Sequence, residues 1–131
     1  MDYIKSIEDI EKILLELQEE NKIIPILVEG DKDVLALRKL GLAGIIISIN
    51  KGKSLSDFCD NLARDYKDII ILTDWDRRGG HLGHTIRKNL EGRVNCNMKY
   101  REFFAKNTTT RTVEGIPSWI ETIKKKIDKN S

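Results

Sequence analysis

The residues with the clearest chemical potential stand in two short stretches, "VEGDKD" at 28–33 and "IIILTDWDRRGG" at 69–80. In the second, four apolar residues lead into Asp74 and Asp76, which are separated by Trp75. Side chains two residues apart on an extended backbone point the same way, so the two aspartates face together and Trp75 opposes them. Glu29 closes the earlier apolar run in the same manner. Carboxylates brought together repel one another unless a cation or a shared proton offsets the charge. An oxygen-only group suits Mg²⁺, which takes one or two carboxylates and keeps other positions for water and phosphate; a paired-cation site is an open alternative. The ordinary reading of such acids is as turn residues or helix caps. Three of them at strand ends favour a site.

The neighbours suit phosphate. Gly30, Gly79 and Gly80 let a backbone approach a ligand closely, and the latter pair is expected to open a helix whose N–H groups favour anions. Arg77 and Arg78 can clamp phosphate oxygens or simply be solvated, and Lys32 has the same two readings. Trp75 can stack on a base or pack on a helix. His81 and His84, three apart, have zinc-ligand spacing. Leu82, Ile86 and Leu90, however, form the apolar stripe of that segment, which turns the histidines toward solvent.

The elements that must position these groups follow from periodicity. Ile4, Ile7, Ile10, Leu14 and Leu17 predict an amphipathic opening helix, with Ser6 and Asp9 resembling a capping box. "IIPILVEG", "GIIISI", "DIIILTD" and the weaker "RVNCNM" read as strands. "DKDVLALRKLG", with Asp31 as N-cap and Gly41 at C′, "SLSDFCDNLARDY" and "GGHLGHTIRKNLEG" read as the helices between them, and "NKGKS" at 50–54 as a loop. Continuous apolar strands alternating with helices predict an α/β, Rossmann-like, mostly parallel sheet of about four strands covered on both faces. Ligands in such sheets bind beyond the carboxyl ends of the strands, where these acids fall. After residue 98 the pattern degrades through "KYREFFAKNTTTRTVEG", read as largely loop, before "IPSWIETIKKKIDK" returns to helix.

The totals constrain the partner. At 131 residues and 40% hydrophobic, one core and one domain are expected. A net charge of +2 does not announce a nucleic-acid binder, so any basic patch is local. The terminal "KKKIDK" can contact a phosphate backbone or complement its helix dipole. Cys59 and Cys96 have no neighbouring cysteine and read as reduced thiols. No signal core or membrane span is evident, so a cytoplasmic location without a membrane partner is expected.

"VEGDKDVLALRKLG" and "TDWDRRGG" together resemble the Toprim domain, whose signatures are a glutamate, usually followed by glycine, after the first strand and a D-x-D, often D-x-D-x-x-G, after the third. Glu29, Gly30, Asp74, Asp76 and Gly79 match in order. The resemblance covers 22–98, leaving 1–21 as an N-terminal helix and 99–131 as a C-terminal loop and helix. By size the chain is similar to stand-alone small archaeal Toprim proteins and to the Toprim part of small ribonucleases that mature ribosomal RNA. The resemblance implies that Asp74 and Asp76 coordinate Mg²⁺, with Mn²⁺ as a substitute, and that Glu29 is a general acid or base or joins the metal shell. It also implies a further acid at Glu114, in "TVEGIPSW". The partner would be RNA or DNA, with protein partners and oligomeric state open. Arg78 stands where one class of topoisomerases has another acid, and no strand-passing domain or zinc cluster accompanies it. The expected activity is therefore Mg²⁺-dependent nucleic-acid cleavage or related phosphotransfer; the alternative is a noncatalytic nucleic-acid-binding or complex-docking module. A haloacid-dehalogenase-type phosphatase also carries D-x-D after an apolar strand, but on its first strand and usually with threonine or valine where Arg78 stands.

Overall fold

The computed structural model describes residues 2–49 and 52–129. Asn50 and Lys51 of the expected 50–54 loop lie outside the described residues. The elements run α1 (Tyr3–Asn21), β1 (Ile26–Val28), α2 (Asp31–Lys39), β2 (Ile46–Ser48), α3 (Leu55–Asp65), β3 (Asp68–Ile71), α4 (Arg77–Leu90), β4 (Asn95–Asn97), α5 (Lys99–Asn107) and α6 (Ile116–Lys129). The four strands form one parallel sheet in the order β2-β1-β3-β4. The class is therefore α/β and Rossmann-like, as the alternating pattern predicts.

Strand alternation divides the core in two. Ile26 and Val28 of β1, with Ile70 and Leu72 at and beyond β3, bury against α1, α2, α5 and α6 on one face. Leu27, Ile69 and Ile71 bury against Phe58, Cys59 and Leu62 of α3 and Ile86 and Leu90 of α4 on the other. Both central strands are apolar on both sides, which is why they read as continuous hydrophobic runs rather than as alternating ones. The chain leaves β1 for β2 in one direction and β2 for β3 in the other, so the sheet reverses order between β1 and β3. Crevices for ligands open at such a reversal, beyond the strand ends.

Several local expectations are corrected. α1 is capped by Asp2, whose side chain accepts from the Lys5 N–H at 3.0 Å, so Ser6 lies inside the helix rather than at its start. Gly30, not Asp31, is the N-cap of α2, and the Asp33 carboxylate takes the Gly30 N–H at 3.1 Å. Gly41 does follow the helix end with φ +87°, the left-handed value that favours glycine. α4 starts at Arg77, two residues before the glycines expected to open it. The segment after 98 contains a helix, α5, anchored by fully buried Tyr100 and Phe104. Two fully buried residues one turn apart, with Phe103 only partly buried beside them, make too short a stripe on a nine-residue stretch to read as a helix. Among the described residues no helix is long and apolar enough to cross a membrane.

Candidate functional site

The sheet's order reversal places the ends of β1 and β3 side by side, and the two sequence stretches meet there. The backbone N–H of Asp74 donates to Glu29 Oε2 at 2.7 Å, across 45 residues of chain. Glu29 is half-buried, its side chain 14% exposed, and Arg78 Nη2 stands 4.0 Å from Glu29 Oε1. Asp74 is held in turn from the other side: the Val113 N–H donates to Asp74 Oδ1 at 2.9 Å. Asp76 is the N-cap of α4, accepting the Gly79 N–H at 2.7 Å. Each of the three carboxylates thus commits one oxygen to a backbone N–H. Their second oxygens accept no hydrogen bond among the described residues.

The charge of this cluster is felt most at Asp74. Burial, followed by the nearby charges of Glu29, Asp33 and Asp76, outweighs the Val113 hydrogen bond and raises its carboxyl from the ordinary 3.8 to about 6. Asp33 belongs to the same group. It is buried, and burial together with the charges of Glu29 and Glu114 raises its carboxyl despite the Gly30 hydrogen bond. Sequence reading missed Asp33, because a first-turn acid on a charged helix gives no sign of being turned inward. Glu114 is exposed, but its charge reaches Asp33, so the loop before α6 brings an acid to this end of the sheet.

Why these loops hold their shape is steric as well as polar. A Cβ at Gly79 would lie 2.0 Å from the Asp74 carbonyl oxygen, so only glycine lets the first turn of α4 close over the aspartate loop. Thr73, fully buried, donates from Oγ1 to the Gly79 carbonyl at 2.8 Å. Arg101 of α5 donates from Nε to the Thr73 carbonyl at 3.0 Å and from Nη2 to the Asp74 carbonyl at 2.8 Å. Trp75 turns away from the acids, stacks on Phe104 with ring centres 5.7 Å apart, and donates from Nε1 to the Thr110 carbonyl at 2.6 Å. Its backbone N–H bonds the Arg111 carbonyl at 3.0 Å. The threonine-rich loop is therefore a strap that aligns the Val113 amide with Asp74. Backbone amides leave no signature in a side-chain pattern, so sequence reading offered no route to this role.

The remaining candidates are placed as follows. A Cβ at Gly30 would meet nothing within 4 Å, so the space over it is open. Arg77 and Lys32 are exposed in the first turns of α4 and α2, and Gly80 lies beside the Arg101 guanidinium. His81 and His84 are exposed and have no metal-ligating partners: among the described residues, no three His, Cys, Asp or Glu side chains stand in a metal-binding cluster. The donor chemistry of Glu29, Asp74 and Asp76 nonetheless fits a hard cation, since each offers an oxygen, and burial followed by the neighbouring acids raises Asp74. It fits the sparse protein ligation of Mg²⁺ better than a cage of many ligands. Cys59 and Cys96 are free thiols, the first buried and the second half-buried.

Comparison with known proteins places the fold in a family. The Toprim domain model matches residues 24–106. A UPF0292 protein of Thermoplasma volcanium is 39% identical over 103 residues, covering 78% of this chain and 87% of its own. A UPF0292 protein of Methanocaldococcus jannaschii is 36% identical over 120 residues, covering 88% and 90%. Among solved structures, a putative protein from Aquifex aeolicus superposes with a TM-score of 0.68 at 26% identity, covering 79% of this chain and 94% of that one.

Proposed function

This chain belongs to the Toprim domain family, and on that premise we propose that it is a Mg²⁺-dependent nuclease, or a closely related phosphotransfer protein, acting on RNA or DNA. Toprim domains generally bind Mg²⁺ and act on nucleic acid. The observation that carries the reading is the bond between the Asp74 N–H and Glu29 Oε2, which fixes the two family signatures against each other at the sheet's reversal point.

In this reading Asp74 and Asp76 hold the cation through the carboxylate oxygens that their backbone bonds leave over. Bound there, Mg²⁺ would polarise a scissile phosphate and acidify coordinated water. Glu29 orients the Asp74 loop through Oε2 and presents Oε1 to the crevice as a general acid or base. The open space over Gly30 admits a phosphate beside it. Arg77 and Arg78, exposed on the first turn of α4, meet the flanking phosphates, as does Lys32, exposed on the first turn of α2. Asp33 and Glu114 keep the crevice acidic, so a cation is favoured before substrate enters.

The competing reading, a noncatalytic binding module, draws on the same hydrogen bonds: every carboxylate of the signature already serves the backbone, so each has a structural task without chemistry. One experiment separates them. The purified protein is incubated with Mg²⁺ or Mn²⁺ and structured RNAs, single-stranded DNA and duplex DNA, with Glu29→Gln and Asp76→Asn alongside. Both variants keep an oxygen acceptor for the N–H each carboxylate holds, so the fold survives. Cleavage by wild type alone supports the nuclease; undiminished cleavage by both variants refutes this site; binding without cleavage of any substrate selects the module.

A further inference from the structure

The outer face of α4 carries Arg77, His81, His84 and Lys88, all exposed. Steps of four, three and four place them on one line along the helix. Arg87 lies beside them, and none of these five side chains makes an ion pair among the described residues. Some basic side chains elsewhere are paired. Arg93 is bound to Asp60 at 2.9 Å, and Lys124 and Lys125 of α6 stand 3.7 and 3.5 Å from Glu11 and Glu121. The α4 line is thus a basic stripe left unneutralised on a chain of nearly balanced charge.

The stripe has a beginning and an end. It begins beside Asp76, the cap of α4, within the acidic site. Eleven residues of helix at 1.5 Å each carry it about 16 Å. There it meets a groove of about 490 Å³ between the last turns of α4 and the outer strand β4, lined by His84, Arg87 and Lys88 with the single acid Glu91, and by Asn95 and Cys96. Among the described residues β4 has no strand on its far side. A polyanion entering the acidic site needs cations where it leaves, and this path offers them. A recess of that size takes a base only when the base is unstacked and unpaired, which a single strand supplies and a duplex does not.

We propose that single-stranded nucleic acid leaves the acidic site along the outer face of α4 and seats one unpaired nucleotide in the groove between α4 and β4. This rests on the nucleic-acid reading of the site but is independent of whether the strand is cut.

The test is fluorescence anisotropy of the wild-type chain in EDTA with labelled oligothymidylate and oligouridylate of two to twelve nucleotides, and with a duplex of the same length. Arg87→Gln/Lys88→Gln is measured beside it after its melting transition is checked. The twelve-mers should bind the double variant at least tenfold more weakly, with the logarithmic salt slope reduced by about 1.4, at roughly 0.7 per phosphate contact. In wild type, which needs no variant to fold, the twelve-mer should slow maleimide labelling of Cys96 several-fold. An unchanged salt slope, an unprotected Cys96 or a preference for duplex would overturn the path. If Glu29→Gln abolishes cleavage while the double variant binds like wild type, the path falls and the nuclease stands. Stripe-dependent binding with no cleavage of any substrate supports the path and overturns the nuclease.

Discussion

Replacing Asp74 by asparagine should make the protein more stable while removing the proposed cleavage. The Asp74 carboxyl is raised from 3.8 to about 6, first by burial and then by Glu29, Asp33 and Asp76. The folded state therefore holds this proton more tightly than the unfolded chain does. The stability contributed by Asp74 falls as pH rises from about 4 to about 6 and is constant above that. The full displacement corresponds to about 3 kcal/mol. Screening of a partly exposed carboxyl reduces the expected gain to about 1–2 kcal/mol at pH 7.5. Asparagine keeps a side-chain oxygen for the Val113 N–H, so the strap stays in place. For a chain of this length the gain raises the melting temperature by roughly 3–8 °C. The assay is thermal unfolding of both proteins from pH 4 to pH 8 in EDTA, repeated with Mg²⁺. The difference should vanish near pH 4, and Mg²⁺ should stabilise wild type more than the variant. A variant no more stable than wild type at pH 7.5, or equally favoured at pH 4, would refute the reasoning.

The glycines should separate cleanly. Gly79→Ala, whose Cβ would lie 2.0 Å from the Asp74 carbonyl oxygen, should cost more than about 2 kcal/mol in urea unfolding. Gly30→Ala meets nothing within 4 Å, so it should stay within about 1 kcal/mol of wild type while weakening substrate binding in the crevice. Trp75→Phe keeps the stack on Phe104 but loses the donor to the Thr110 carbonyl. It should cost about 1–2 kcal/mol and speed hydrogen exchange at the Val113 amide. Arg101→Met removes both bonds to the Thr73 and Asp74 carbonyls. It should lower kcat with little change in circular dichroism, and a change in KM alone would argue against a positioning role.

The legible and the hidden parts of this site differ in kind. Apolar runs such as Ile69–Leu72 announce the sheet because both faces of the central strands are covered, and acids ending such runs announce the crevice. Strand order is not periodic information: nothing in the pattern says that β1 pairs with β3 as well as with β2, yet that pairing makes Glu29 a neighbour of Asp74. Asp33 escapes notice because inward and outward acids in a first helical turn read alike. Asp76 shows how a residue can be found for one reason and positioned by another, since its carboxylate is also the cap that starts α4. Arg101 and residues 110–113 escape because their service runs largely through carbonyls and amides that every residue possesses.

The strap has a consequence for how the protein comes into being. Synthesis proceeds from the N-terminus, and the sheet, from β1 to β4, is complete by Asn97. The amide that orients Asp74 belongs to Val113, 39 residues later than the aspartate it serves. While the chain is being made, the sheet and both acidic signatures can assemble before that aspartate is secured. The loop that closes over the acidic crevice is therefore the last part of it to be synthesised, and the geometry of Asp74 depends on residues made well after the sheet.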